Sequence, residues 1–346
     1  MSESSEVPHK RRQRYAGKNP RGFQHKYKEL DPVKYPDVVA RVLAAGKTPA
    51  GTHRPILVAE ILEVLRPVPG EFGVDCTLGY GGHAREILAR LQPGGRLVGL
   101  DADPLELPRT EERLRREGFG PDAFCAYRSN FAGLPAVLGR EGRASADFLL
   151  ADLGVSSMQL DNPGRGFSLK LEGPLDMRMN PNKGQPAGAF LRKVEAVQLS
   201  GLLVENADEP HAELLGRALA GQEFATTVEL SRRIQALLSA RPAEERELSV
   251  RRVFQALRIA VNDEWAALDT LLRNLSQCVG SGGRIAVLTF HSGEDRRVKK
   301  AFEAGLREGY FAEVAREVVR AGAQERHDNT RSKSAKLRWA IRAGAH

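Results

Sequence analysis

The chain has 346 residues, 41% of them hydrophobic and 28% charged, and a net charge of +8. That length supports one large or two ordinary hydrophobic cores, and no uninterrupted apolar run is long enough for a membrane span. Cys76, Cys125 and Cys278 show neither C-x-x-C nor Cys/His spacing, which argues against a disulfide framework or a metal site and for a reduced, cytoplasmic setting.

The charge is concentrated at the ends. Residues 1–50 hold 11 Lys/Arg against 5 Asp/Glu, and residues 320–346 hold 7 against 2. Basic ends suggest an anionic partner, most often nucleic acid. From His9 to Lys28, cations interleave with Tyr15, Phe23 and Tyr27, a mixture suited to phosphates and stacked RNA bases. A solvated, partly disordered tail is the alternative. The basic start has no apolar segment after it, so no signal peptide is expected. Residues 1–50 read as an extension, with a short helix from Pro36 to Ala45.

After His53-Arg54-Pro55, Ile56, Ala59, Leu62 and Leu65 fall at helical spacing, and Pro67 and Pro69 end the helix. Strands alternating with helices follow. The spacing predicts strands at Phe72–Thr77, Arg96–Leu100, Ala123–Tyr127 and Asp147–Ala151, with a charged helix over Leu107–Glu117. This order of apolar strands predicts an α/β fold with a parallel, doubly wound sheet. The alternation then stops. Amphipathic helices at Ala187–Leu191, Val194–Val204, Ala212–Ala220 and Thr227–Leu238 read as a helical insertion. A single helix from Val250 to Val279 is expected to return the chain to the sheet. Ser281-Gly282-Gly283 turns into a strand at Arg284–Phe290, and a last strand lies near Leu337–Ile341.

Ligands in open parallel sheets sit beyond the carboxyl ends of the strands. Four such ends carry polar residues: Gly79-Tyr80-Gly81-Gly82-His83, Asp101, Asp152 and His291. Glycines let the backbone approach a ligand, and the following helix offers free N–H groups. Asp101 lies 20 residues after Gly81, the spacing at which an acid on the second strand holds a ribose diol. A helix cap is the alternative for Asp101. G-Y-G-G-H departs from G-x-G-x-x-G and carries no phosphate signature, which fits a nucleoside without pyrophosphate such as S-adenosylmethionine. No G-x-x-x-x-G-K-[ST] string is present, so an NTPase is not expected.

Several longer strings carry a specific resemblance. They are Asp75 to His83, Leu100-Asp101-Ala102-Asp103-Pro104, Asp152-Leu153-Gly154-Val155-Ser156-Ser157, Arg165-Gly166-Phe167-Ser168, Gly173-Pro174-Leu175-Asp176-Met177-Arg178-Met179, Phe254 to Asn262, Phe290 to Arg296 and Ser334 to Arg338. From about residue 52 onward the chain resembles the RsmH (MraW) family of S-adenosylmethionine-dependent methyltransferases. That family methylates N4 of a cytosine in the decoding region of 16S rRNA. The resemblance implies a Rossmann-like class I methyltransferase domain at 51–158 and 250–346. It makes the helical insertion, 159–249, a substrate-recognition domain. It also implies the small ribosomal subunit as partner, no membrane, and an assembly that leaves a homodimer open.

By the same resemblance, cofactor contacts fall on Gly81, Gly82, His83, Asp101, Phe131, Asp152 and Gln159. Phe131 follows the third strand and either stacks on adenine or packs in the core. Gln159 has no signal apart from the family. A cytosine amine is a poor nucleophile, so the site needs hydrogen-bond acceptors beside it. Asp152 is the first candidate and His291, with Ser292, the second; for His291 a strand-end cap weighs equally. Attack by a ring carbon would use a cysteine, and no cysteine is expected at a strand end in this site. Arg165, Arg178, Asn262 and Ser292 are the substrate-side candidates. Arg165 and Arg178, like Arg192 and Lys193, either meet phosphates or are solvated surface charges. The chain departs from the family at Glu205–Glu213, where acids replace a basic segment, and at Gly293, where the family usually has leucine. A different RNA target, or cofactor binding without turnover, are the alternatives.

Overall fold

The computed structural model describes residues 55–169 and 171–344. The basic extension, the helix expected at Pro36 to Ala45, and His53-Arg54 lie outside the described residues. Seven strands form one sheet: β1 (Phe72–Asp75), β2 (Arg96–Asp101), β3 (Phe124–Arg128), β4 (Ala146–Asp152), β5 (Val279–Thr289), β6 (Phe311–Val314) and β7 (Lys336–Arg342). Their order is β3-β2-β1-β4-β5-β7-β6. β1 to β5 run parallel, and β7 is antiparallel to both neighbours. This is the expected Rossmann-like class I methyltransferase sheet. The chain winds outward from β1 to β3 and then returns to β4 on the other side of β1. A crevice therefore opens between the carboxyl ends of β1 and β4.

β1, β2 and β4 are buried on both faces, which explains why they read as continuous apolar runs. Leu149 and Ala151 of β4 join a core with Leu134 and Val137 on one face of the sheet. Phe148 and Leu150 join a second core on the other face. Helix α1 (Val58–Leu65), α2 (Gly82–Leu91) and α3 (Leu107–Arg116) cover that second face, and α4 (Leu134–Arg140) covers the first. Packing sets one composition detail of β1. Gly73 pairs with Phe148, and a Cβ at Gly73 would lie 2.0 Å from the Phe148 ring. A larger residue there would force the ring out of the core.

After β4 come α5 (Ser157–Asp161), α6 (Ala187–Lys193), α7 (Ala196–Ala207), α8 (Ala212–Leu219), α9 (Thr227–Leu237) and α10 (Ala243–Asn262). They build a third core from Leu191, Leu203, Leu215 and Ile234, closed by Val253 and Leu257 of α10. The helix expected to run unbroken to Val279 is two helices. Asp263 adopts a left-handed conformation (φ 52°), and α11 (Glu264–Cys278) starts after it. Leu268, Leu271 and Leu275 of α11 pack on the sheet, so the insertion core takes in α10 and extends beyond residue 249. The helical spacing continues across Asp263, which hid the break.

Three further differences have local causes. Ser281-Gly282-Gly283 lies within β5 as an irregularity, since the register with β4 jumps from Ala146–Val279 to Phe148–Arg284. β6 was not expected because only its end residues, Phe311 and Val314, are buried, which gives no alternation. Cys76 does follow a strand end directly, but it is buried and its thiol is pushed well above the ordinary value by burial, with Asp75 and Cys278 adding to this. It is a packing residue rather than a nucleophile. The remaining helices are α12 (Ser292–Arg307) and α13 (Ala323–Asp328). Among the described residues no helix is long and apolar enough to cross a membrane.

Candidate active site

Three adjacent strands, β2, β1 and β4, end in Asp101, Asp75 and Asp152. Asp75 is buried, and its Oδ1 accepts from the Thr77 N–H at 3.0 Å. The Thr77 hydroxyl also donates to Asp75 (3.4 Å) and accepts from the Asp152 N–H (2.6 Å). Burial pushes the Asp75 carboxyl up to about 6; Thr77 and His83 oppose the shift, while Asp152 and Asp101 add to it. Asp101 accepts from the N–H groups of Gly79 and Asp103, each at 2.8 Å. Burial raises it too, to about 6, against those two hydrogen bonds. Carboxylates crowded at one edge create a negative potential that favours a cationic ligand.

The glycine turn enters α2 through left-handed residues that only glycine adopts readily. Gly79 has φ 49° and Gly81, the N-cap, φ 75°. The turn rests on α3. A Cβ on Gly81 would lie 2.9 Å from Thr110 Cγ2, and one on Gly82 would press on Pro55 at 3.1 Å. The Thr110 hydroxyl donates to the Gly79 carbonyl at 2.6 Å, and Arg113 donates to the Tyr80 carbonyl. The Arg113 guanidinium also lies 3.5 Å from the Tyr80 ring centroid.

His83 is buried on the first turn of α2, with Nε2 3.6 Å from Asp152 Oδ2, beyond a good hydrogen bond. His83 Nε2 and Asp152 Oδ1 are both buried without a hydrogen-bond partner. Buried polar atoms are normally satisfied. Two unsatisfied ones on neighbouring side chains at the switch point of the sheet mark the place of a ligand.

Phe131 opens a short 3₁₀ turn after β3 and is half-buried against the first core. Gln159 is fully committed: its backbone and Oε1 form a capping box with Ser156, and its Nε2 donates to Asp103 Oδ2 at 2.9 Å. The structure thus places Gln159 behind Asp101 rather than leaving its amide free.

The substrate-side candidates do not converge on a common surface. Arg165 is buried, pairs with Asp103 at 2.5 Å, and donates to the carbonyls of Arg178 and Met179. This internal clamp replaces the phosphate contact expected of it, and it is not a solvated charge either. Arg178 forms a two-pronged pair with Asp176 at 2.7 and 2.8 Å. Burial would raise the Asp176 carboxyl, but its hydrogen bonds to Arg178 outweigh that and hold it below the ordinary value. Asn262 accepts from the Met179 N–H and donates to the carbonyls of Met177 and Arg258. It fixes the loop, in which Met177 is held at φ 63°. Ser292 is exposed, and its hydroxyl reaches Asp208 at 3.4 Å.

His291 caps α12. Its Nδ1 accepts from the Glu294 N–H at 3.4 Å, which assigns the ring proton to Nε2, 3.2 Å from Glu294 Oε1 but poorly aligned with it. With Nδ1 occupied by this bond, the capping role is the one its geometry expresses. Burial works to raise Glu294, yet His291, Arg258 and the Phe290 N–H hold it below the ordinary value.

The acidic departure at Glu205–Glu213 is partly internal. Glu209 is buried, accepting from the His211 N–H (3.0 Å) and the Ser249 hydroxyl (2.9 Å). Asn206 accepts from the Trp265 indole N–H at 2.8 Å.

The profile of the MraW methylase family matches residues 50–343. The chain belongs to this family. Among similar proteins, "Ribosomal RNA small subunit methyltransferase H 2" of Alkaliphilus metalliredigens is 47% identical, over 99% of this chain and 100% of that protein. "Ribosomal RNA small subunit methyltransferase H 1" of Lachnoclostridium phytofermentans is 46% identical, over 99% and 95%. "Ribosomal RNA small subunit methyltransferase H" of Anaeromyxobacter sp. (strain K) is 40% identical, over 83% and 96%. The first two alignments span nearly the whole chain, residues 1–50 included for the most part.

An MraW methylase draws its methyl group from S-adenosylmethionine, and the crevice fits this cationic nucleoside. The glycine turn gives the close approach, Asp101 lies at the end of β2, and the carboxylates meet a positive charge. The buried, unsatisfied His83 and Asp152 atoms supply polar partners.

Proposed function

We propose that the protein methylates the N4 amine of a cytosine in the decoding region of 16S rRNA. The observation that carries this reading is the uncommitted, buried Oδ1 of Asp152 at the end of β4. It is supported by family membership and by the names of the relatives, which specify the ribosomal RNA of the small subunit.

A bound donor would supply an electrophilic methyl group, its S–CH3 bond breaking to leave a neutral thioether as the N–C bond forms. Asp101 and the turn at Gly81, Gly82 and His83 would hold it, with Phe131 against its base. Gln159 acts from behind, through Asp103. Asp152 does the chain's own chemical work. Its carboxylate accepts a hydrogen bond from the N4 amine, turns the nitrogen lone pair toward the methyl carbon, and takes the proton released as the N–C bond forms. A cytosine must leave its stack to reach this edge. Cys76 offers no competing thiolate route, since burial keeps its thiol protonated.

The test is methyl transfer to small-subunit particles that lack the modification, followed by mass mapping of the nucleotide. Label at cytosine N4 is the expected result; label on another RNA, or cofactor binding with no transfer, overturns the proposal.

A further inference from the structure

The basic C-terminal stretch has no part in the chemistry above, yet its position is specific. β5 runs parallel to β1 and β4, so Thr289 lies at the carboxyl edge that carries the site. Thr289 pairs with Lys336, and Val319 pairs with Leu337. The chain between 319 and 336 therefore leaves and re-enters the sheet at the catalytic edge.

This excursion is anchored at several points. Ala321, Ser332 and Ala335 are buried. Glu325 accepts from the Leu57 N–H at 3.0 Å, just before α1 and two residues from the Pro55 that backs Gly82. Arg331 pairs with Asp161 at 3.0 Å, at the end of the helix that carries Gln159. The excursion thus reaches from the flank of the glycine turn to the flank of α5 and borders the crevice.

Its cations differ from those of α3. On α3, Arg109, Arg115 and Arg116 each pair with a carboxylate one turn away. Arg320, Arg326 and Lys333 are exposed and have no ion pair among the described residues. The two acids within 320–333 are engaged, Glu325 by Leu57 and Asp328 by the Gln324 amide. Unneutralised cations on an anchored base suit a chain of phosphates better than a folded protein surface, which would need matched apolar contacts.

We propose that residues 320–333 form a phosphate-binding lip, with Arg320, Arg326 and Lys333 gripping the backbone of the RNA whose base enters the crevice. This rests on the rRNA reading above. The test uses the full chain with Arg320, Arg326 and Lys333 all changed to alanine, and a second variant carrying Arg320→Lys and Arg326→Lys. Binding to transcribed 16S rRNA is measured from 50 to 200 mM salt. The alanine variant should bind about tenfold more weakly, with a log–log salt slope about 2 units shallower, because about three counterion releases are lost. Its S-adenosylmethionine affinity and thermal midpoint should match the parent, and its KM for particles should rise at unchanged kcat. The lysine variant should retain binding, since a phosphate needs charge more than a fork. Unchanged RNA affinity and salt slope in the alanine variant overturn the lip. Failure of the parent to methylate rRNA would overturn the parent reading instead, and the binding comparison would still decide the lip.

Discussion

Asp103 and Arg165 form an ion pair 2.5 Å apart with side-chain exposures of 1% and 7%. Asp103 also takes the Gln159 amide and the Leu105 N–H. Arg165 also holds the Arg178 and Met179 carbonyls. One pair thus joins the strand end that carries Asp101 to the loop leading into the insertion. Breaking a buried pair strands its partner's charge, so Arg165→Met should destabilise the fold by about 3–5 kcal/mol in urea unfolding. Arg165→Lys should rescue little of this, because the site uses a planar fork. A mild loss would mean that the pair is not the clamp its geometry implies.

Asp101 carries a prediction for cofactor affinity. Asp101→Ala removes a charged acceptor, and S-adenosylmethionine binding should weaken about 10- to 100-fold by calorimetry. In the parent the affinity should also fall as pH drops below about 6, where this carboxyl takes up its proton. Flat affinity between pH 5 and 8 would exclude Asp101 as a ligand.

Asp75 carries one for stability. Burial pushes its carboxyl up to about 6 in the fold, against an ordinary value of 3.8. The folded state therefore holds the proton more tightly, and this contribution is fully present below about 4 and lost as pH rises through 6. Above pH 6 the buried charge is a cost. Asp75→Asn should stabilise the protein by about 2–3 kcal/mol at pH 8, and the gain should vanish by pH 4. Chemical unfolding at the two pH values checks this, and equal stability changes at both would contradict it.

Gly293 is fixed by Trp265. A Cβ there would lie 2.9 Å from the indole ring, which also meets His291 edge-on at 5.6 Å and is covered by Arg297. Gly293→Leu should displace the indole and cost about 1–3 kcal/mol. Adding Trp265→Leu should recover part of that loss, measured as a double-mutant cycle in thermal unfolding. Purely additive losses would separate the two sites.

Much of the site was legible from the residues. The glycine turn, Asp101 and Asp152 stand at the carboxyl ends of adjacent strands, as apolar runs ending in polar residues implied. The spacing of 20 residues between Gly81 and Asp101 has a structural counterpart in the Gly79 N–H that binds the Asp101 carboxylate. Asp75 went unnoticed because a buried acid at the end of an apolar strand looks like part of the turn. The substrate side was harder to read. An arginine in a glycine-rich loop looks the same in sequence whether it faces solvent or, like Arg165, an aspartate 62 residues away. The glycine at 293 looked like an unexplained departure until the volume of Trp265 accounted for it.

The left-handed residue at Asp263 has a thermodynamic consequence. It divides what would be one long rod between two cores, α10 with the insertion and α11 with the sheet. No main-chain hydrogen-bond ladder runs unbroken through such a joint, so the two cores can open at different free energies. Amides of α7 and α8 should then exchange with solvent well before those of β1 and β4. A catalyst that admits a bulky polymer to a buried crevice can in this way take its compliance from the helical core and spare the strands that hold Asp75, Asp101 and Asp152.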